Sequence, residues 1–381
     1  MKPGAATQAL IAHIDADTML RQVLEWAAIN TGNANIEGLD RMAGVRADAF
    51  STLPGNVELV DPATVTAISS EGHEFEKPHG RHMVLRGRPE AERRFVLTGH
   101  MDTVFPVDHP FQETTWLDDD TINGPGTADM KGGLNVILHA LMTFETIEGS
   151  ERVGYDVMIN SDEETGSLAS RGLIEELARG KYAALTYEPS ALPDGTLAHA
   201  RGGTGNYSIT FTGKSAHAGR NPHDGRNAIV AASDLVLRIK ALEAEASLRF
   251  NIRPKSTDAM ARFDGELASI LRLIETEHQV GIHRHGGVTR PPKPVDEKAQ
   301  RLFDLVKACG AELGQQIGWK STGGVCDGSN IAATGVPVVD TMGVRGGAIH
   351  SPDEFMIVPS LRERAALSAL VLAKLSTGDH L

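Results

Sequence analysis

The sequence predicts an α/β fold with a mostly parallel sheet, interrupted by an inserted α+β unit. Three observations carry this. Apolar strand patterns alternate with helix patterns from Met83 to Tyr187 and again from Val336 to Leu375, and such alternation builds a parallel sheet with covered faces. Between Arg201 and Pro294 the character changes to a compact strand–helix set of its own. Histidines and carboxylates stand just past the ends of predicted strands, where open α/β sheets bind ligands.

Taken in order, Gln8 to Ile29 places Leu10, Ile11, Ile14, Leu20, Val23, Leu24 and Ala27 at helical spacing, which predicts one amphipathic helix. Strands follow at Met83–Leu85 and Phe95–Thr98. A helix over Lys131–Phe144 puts Leu134, Ile137, Leu138, Leu141 and Phe144 on one face. Next come a strand at Tyr155–Asn160, a helix near Leu173–Ala178 and a strand at Ala183–Tyr187. The inserted unit reads as strand Tyr207–Thr212, helix Asn227–Ala241, strand Leu248–Ile252, helix Met260–Glu275 and strand Val280–His285. The stretch Arg290-Pro291-Pro292-Lys293-Pro294 reads as a linker. A strand at Val336–Thr341 and a helix from Pro359 to Leu375 complete the pattern. The expected division is 1–203 for the first part of the main domain, 204–291 for the insertion and 292–381 for the second part.

At 381 residues the chain is long enough for about two domains. With 41% hydrophobic residues and 5% aromatic, its cores must be aliphatic. The formal net charge is −13, with no Lys/Arg run, which argues against a nucleic-acid partner. Two cysteines, Cys309 and Cys326, cannot build a disulfide framework or a thiolate-rich zinc site. Residues 1–7 lack the pattern of a signal peptide, and no apolar run approaches the roughly 18–20 residues that span a bilayer. The expected location is cytoplasmic.

The residues that carry chemistry lie far apart in sequence. His100 and Asp102 follow one predicted strand, Glu163 and Glu164 another, and Glu188 a third. Asp129 precedes a helix, and His350 lies in a glycine-rich stretch near the C-terminus. Each alone has a plainer reading: a loop hydrogen bond, a solvated helix start, a strand end, a turn. Together, two imidazoles and several carboxylates without a thiolate suit zinc or a similar divalent ion. Gly124-Pro-Gly126 is not the GxGxxG of a dinucleotide site. His139, His199 and His223 match no pattern and read as structural or surface residues.

Six motifs then carry a resemblance: Thr98-Gly-His-Met-Asp-Thr-Val104, Gly124-Pro-Gly-Thr-Ala-Asp-Met-Lys-Gly-Gly133, Asn160-Ser-Asp-Glu-Glu-Thr-Gly166, Tyr187-Glu-Pro-Ser190, Gly213-Lys-Ser-Ala-His-Ala-Gly219 and Gly346-Gly-Ala-Ile-His-Ser-Pro352. In this order and over nearly the whole chain, they resemble the M20 family of metallopeptidases and amidohydrolases, and most of all its glutamate carboxypeptidase branch. The resemblance implies a zinc-exopeptidase-like domain with a ferredoxin-like lid that forms a homodimer. It implies two divalent ions about 3.5–4 Å apart, zinc first, with cobalt or manganese as alternatives. Asp129 would bridge them; His100 and Glu188 would complete one site, Glu164 and His350 the other. Asp102 would orient His100, and Glu163 would be the general base. His217 of the lid would stabilise the oxyanion in a partner's active site. Arg253 would grip the substrate carboxylate. The peptide after Asp129 would be cis.

The implied activity is hydrolysis of an amide to an amino acid with a free carboxylate, on a small peptide or N-acyl amino acid. Deacylation or desuccinylation of N-acyl amino acids is the alternative, and a non-catalytic metal-dependent binding protein a further one. One departure stands out. Relatives of this type carry a loop and strand between the lid helix and the Arg253 strand, whereas here Lys240–Ser247 runs straight into Leu248-Arg-Phe250. At the Ala246-Ser247 junction either a deletion is real or a disordered piece is missing from this sequence. The second is expected, because nothing nearby replaces the lost strand.

Overall fold

The computed structural model describes residues 5–217, 220–240, 249–378 and 380–381. Its main sheet has six strands in the order Asn56–Val60, His82–Gly87, Val153–Asn160, Arg93–His100, Ala183–Thr186, Val338–Val339. The last four run parallel, while the first two pairings are antiparallel. Alternate residues of each strand face opposite sides, as the pleat requires. Val96, Met158 and Ala184 pack with Ile174, Leu177 and Ile331 on one face. Phe95, Leu97, Val157 and Ile159 pack with Leu134, Ile137, Leu367 and Val371 on the other. The helix Gly132–Phe144 is buried on nearly every side between the sheet, Ala16–Ala27 and Ser360–Thr377.

The expected helix over Gln8–Ile29 is two helices, Ala5–Ala12 and Ala16–Ala27. The Asp15 side chain accepts from the amides of Asp17 and Thr18 at 3.1 Å each and starts the second. That capping bond overrides the continuous apolar spacing. A helix at Ile36–Phe50, capped by Asn35, and another at Glu297–Glu312, capped by Asp296, were not anticipated.

The inserted unit is built around the strand Thr204–Thr212, antiparallel to Arg249–Ile252 on one side and to Gly281–Arg290 on the other. The helices Ala228–Lys240 and Thr257–His278 supply Ala231, Leu235, Ile239, Leu267, Leu271 and Ile274 to a core that also takes Tyr207, Ile209 and Ile252. Among the described residues Arg249–Ile252 has one strand partner. The Ala246-Ser247 junction lies outside the described residues.

The expected linker at Arg290–Pro294 is corrected by the structure. Arg290 ends a strand, and both Arg290 and Lys293 are buried. Arg201 and Lys293 exchange two main-chain hydrogen bonds of 3.1 and 3.0 Å. Entry to and exit from the insertion therefore run side by side. Their cations explain the burial: Arg201 and Lys293 both pair with buried Asp340, at 2.8 and 2.9 Å. Among the described residues no helix is long and apolar enough to cross a membrane.

Candidate metal centre

Strand register sets the level of the site. In the parallel ladder His100 lies opposite Asn160, and Thr98 opposite Thr186. Glu188, two residues past Thr186, therefore reaches the level of His100. Glu163 and Glu164 follow in the turn just beyond Asn160. Asp129 comes from the loop before the helix Gly132–Phe144, and its peptide bond to Met130 is cis, as the family resemblance implies. Gly126 opens that loop with φ 71, a left-handed conformation that glycine adopts without cost. His350 arrives from the loop after Gly346–Gly347.

The side chains meet. His100 Nε2 lies 3.2 Å from Asp129 Oδ1 and 3.8 Å from Glu188 Oε2. His350 Nε2 lies 3.2 Å from Asp129 Oδ2 and 3.1 Å from Glu164 Oε2. Asp129 thus turns one oxygen to each imidazole, with one further carboxylate beside each. Asp102, fully buried, stands 3.4 Å from His100 Nδ1, and its oxygens accept from the amides of Glu163 and Glu164 at 3.1 and 3.0 Å. Asp102 therefore braces the His100 ring, through its carbonyl 3.0 Å from Nδ1, and fixes the Glu163–Glu164 turn through its carboxylate.

The electrostatics suit a site for two divalent cations. Burial, together with the charge of Asp129, pushes Glu164 up to about 8. Burial pushes Glu163 up to about 7, against the pull of the Arg290 guanidinium. Burial also raises Glu188. Hydrogen bonds to Asp129 and Glu164 raise His350 to about 11, and His100 is raised despite burial by the charge of Glu188. Two divalent ions placed here would neutralise the same carboxylates that raise the two imidazoles. Hard carboxylate oxygens with imidazole nitrogens are the donor set of zinc and its divalent neighbours.

Several partners escaped the sequence reading. Arg290, the last residue of the lid strand, is buried and lies 2.7 Å from Glu163 Oε1. It also donates to the Glu163 carbonyl at 2.8 Å and to Ser167 Oγ at 2.7 Å, and Asp327 faces it at 3.7 Å. An arginine inside a proline-rich stretch gives no sign of such a partner 127 residues away. Glu354 accepts from three main-chain amides of the Asp129 loop. A pocket of about 460 Å³ opens beside the cluster, lined among others by Pro189, Ser190, Arg201, Thr322, Cys326 and Phe355.

The two lid residues are placed elsewhere. His217 is exposed in the loop after Thr204–Thr212, and its carbonyl accepts from Arg220 and Asn221. Arg253 is exposed just past Arg249–Ile252. Neither lines the pocket beside the cluster. His139 is buried against Gln22 at 2.8 Å, a structural placement.

Comparison with known proteins adds the following. The profile described as Peptidase family M20/M25/M40 matches residues 96–374. Carboxypeptidase G2 of Pseudomonas sp. (strain RS-16) is 30% identical over 327 residues, 78% of this chain and 78% of its own. Succinyl-diaminopimelate desuccinylase of Psychrobacter sp. (strain PRwf-1) is 23% identical, over 80% of this chain and 87% of its own. Among solved structures, the Bacillus subtilis YXEP protein, described as a dinuclear metal binding peptidase from the M20 family, superposes with a TM-score of 0.62 at 14% identity. That match covers 95% of this chain and 99% of the other.

Proposed function

The chain belongs to peptidase family M20/M25/M40, and from that premise we propose that it cleaves the amide between an acyl group and an amino acid bearing a free carboxylate. It is a metallohydrolase of that family. The observation that carries the finer reading is the posture of Asp129, one oxygen toward His100 and the other toward His350. In this reading Asp129 would bridge two divalent ions, zinc first; His100 and Glu188 would hold one, and Glu164 and His350 the other.

The bound ions supply Lewis-acid polarisation of the carbonyl and lower the pKa of a bound water toward about 7. The chain's own residues do the rest. Glu163 takes a proton from the attacking water and delivers it to the leaving nitrogen, so the C–N bond breaks as acid and amine are released. Asp102 keeps His100 and the Glu163–Glu164 turn in place. Arg290, hydrogen-bonded to the Glu163 carbonyl and 2.7 Å from its carboxylate, limits the rotamers open to the base.

The lid completes the reading. His217 would stabilise the oxyanion in the site of a second copy, and Arg253 would hold the substrate carboxylate. Support for a homodimer comes from the lid helix Ala228–Lys240, which exposes Ile229, Val230 and Leu237 at 77, 51 and 71%. Apolar residues so concentrated on one helix suit burial against another copy. Desuccinylation remains the second reading, favoured by the similarity to succinyl-diaminopimelate desuccinylase.

The test is a screen of the metal-reconstituted protein against N-acyl-L-glutamates, dipeptides, and N-acetyl and N-succinyl amino acids. Release of a free amino acid is the expected result. Turnover confined to N-succinyl substrates would move the assignment to the second reading. No hydrolysis of any amide by fully loaded protein would overturn both.

A further inference from the structure

The two loops that bring Asp129 and His350 to the centre are stitched by one small sheet. Its order is Gly346–Gly347, Phe355–Ile357, Thr121–Asn123, Thr115–Trp116. Phe355 pairs with Gly347 on one side and Asn123 on the other. Glu354 opens the central strand. It follows His350 by four residues and lies opposite the start of the loop that carries Asp129. Its side chain is 1% exposed.

The side chain of Glu354 is bonded to that loop, while its amide donates to Ser351 O at 3.1 Å. Oε2 accepts from Gly126 N at 3.2 Å. Oε1 accepts from Ala128 N at 2.9 Å and Asp129 N at 3.0 Å. Its carbonyl accepts from Asn123 Nδ2 at 2.7 Å and Gly124 N at 3.3 Å. A carboxylate gripping three amides of one four-residue turn is a charge-assisted clamp, stronger and more directional than neutral bonds. A buried acid is costly unless such partners hold it. It is also an unusual choice beside a carboxylate-rich centre, where an amide side chain would add no repulsion.

We infer that Glu354 is a positioning residue for the metal centre: by clamping residues 126–129 from the His350 loop, it sets Asp129 and His350 in mutual register. The inference rests on the two-metal reading above. The clamp ties the bridging ligand to Glu354, 225 residues on and four past His350 of the second site. Two ions held by one bridging carboxylate need that carboxylate placed to within a fraction of an ångström, because metal–oxygen distances near 2.0–2.2 Å leave little slack. Asp129 reaches the His100 side from its own loop, and the His350 side depends on where the neighbouring loop sits. Asn123 also ties the two segments, through bonds to the Pro352 and Glu354 carbonyls, but Glu354 is the side chain bonded to the amide of Asp129 itself.

The test is cobalt binding to metal-stripped protein, followed by visible absorption and by the rise in Tm that the metal adds. Wild type, Glu354→Gln and Glu354→Asp are compared. Wild type is expected to take two cobalt ions. Glu354→Gln keeps the size but loses the charged clamp, and should weaken at least one site tenfold or more. Its metal-induced rise in Tm should shrink, since that rise follows the ratio of ligand concentration to Kd. Glu354→Asp keeps the charge with a shorter reach and should recover part of the loss. A purely structural Glu354 would lower the Tm of the stripped protein in both variants and leave cobalt affinity and the metal-induced rise unchanged; that result overturns the inference. Should Glu354→Gln not fold, Glu354→Asp alone decides: a several-fold weaker Kd supports the clamp, and an unaltered Kd removes it. Wild type binding fewer than two ions would instead bring down the two-metal reading, and this inference with it.

Discussion

The body and the lid treat their functional residues in opposite ways. In the body three members of the cluster are held by buried neighbours: His100 by Asp102, Glu163 by Arg290, and Asp129 by the bond from its amide to Glu354, while the His350 side chain is 51% exposed. Its sheet is covered on both faces. In the lid, a smaller sheet has two helices on it, and His217 and Arg253 are exposed. The difference teaches where completeness lies. The candidate ligand cluster assembles within one chain, whereas His217 and Arg253 stand apart from it and, in the proposed reading, act on a second copy's site and on the substrate.

The sharpest way to test that division is to remove the base. Glu163→Ala should lower kcat by about 10²–10⁴-fold while metal analysis still finds two ions per chain. Loss of metal along with activity would mean that Glu163, and not Glu164, is a ligand. Next in size is the junction between the two regions. Asp340→Asn leaves Arg201 and Lys293 buried without their anion, and breaking a buried pair costs about 3–5 kcal/mol. Urea or thermal unfolding should record that loss; a change below about 1 kcal/mol would show that the junction is held by other contacts.

The lid's contribution should be somewhat smaller. His217→Ala is expected to lower kcat by about 10²–10³-fold, the range for one lost oxyanion donor, with metal content intact. Mixing it with Glu163→Ala should restore part of the activity through hybrid dimers. If subunit exchange is demonstrated and activity stays absent, action between copies is wrong.

The mildest effect is on pH. In the metal-free protein His350 is raised to about 11 and His100 is raised as well, so at neutral pH an incoming ion must displace their protons. Metal affinity should climb about tenfold per pH unit for each proton displaced. For the metal-free protein the sign is opposite. A raised folded-state pKa stabilises fully below the unfolded value near 6.5, and that contribution fades as pH rises toward 11. The gap in Tm between loaded and stripped protein should therefore widen with pH. A constant gap from pH 6 to 9 would mean that the imidazoles are already unprotonated.

Much of the centre was legible because its members follow strand ends, and parallel register turns equal offsets into equal heights. His100 and Glu188 each lie two residues past a paired threonine. What the sequence concealed were the partners. Arg290 looks like part of a proline-rich connector, and Glu354 like an acidic loop residue. Their roles depend on contacts across 127 and 225 residues, which no local periodicity encodes. The split at Asp15 was hidden for the opposite reason: the apolar spacing runs on through the break, and one side-chain cap decides the matter. Both lid residues were picked by motif alone, and nothing local in the sequence says which surface they serve.

The paired main chains of Arg201 and Lys293 have an architectural consequence. Because the insertion leaves and re-enters at one point, the body sees residues 202–292 as a loop with almost no span. Loop-closure cost grows only with the logarithm of length, about 0.6 kcal/mol for each doubling. The body could thus accept a lid of half or twice the length for a change of only about 0.6 kcal/mol, and a brief turn sealing Arg201 to Lys293 would cost less to close than the lid does. The lid is in this sense a replaceable cassette. What a replacement would have to reproduce is the cation of Arg290, which the cassette lends to the body at its exit.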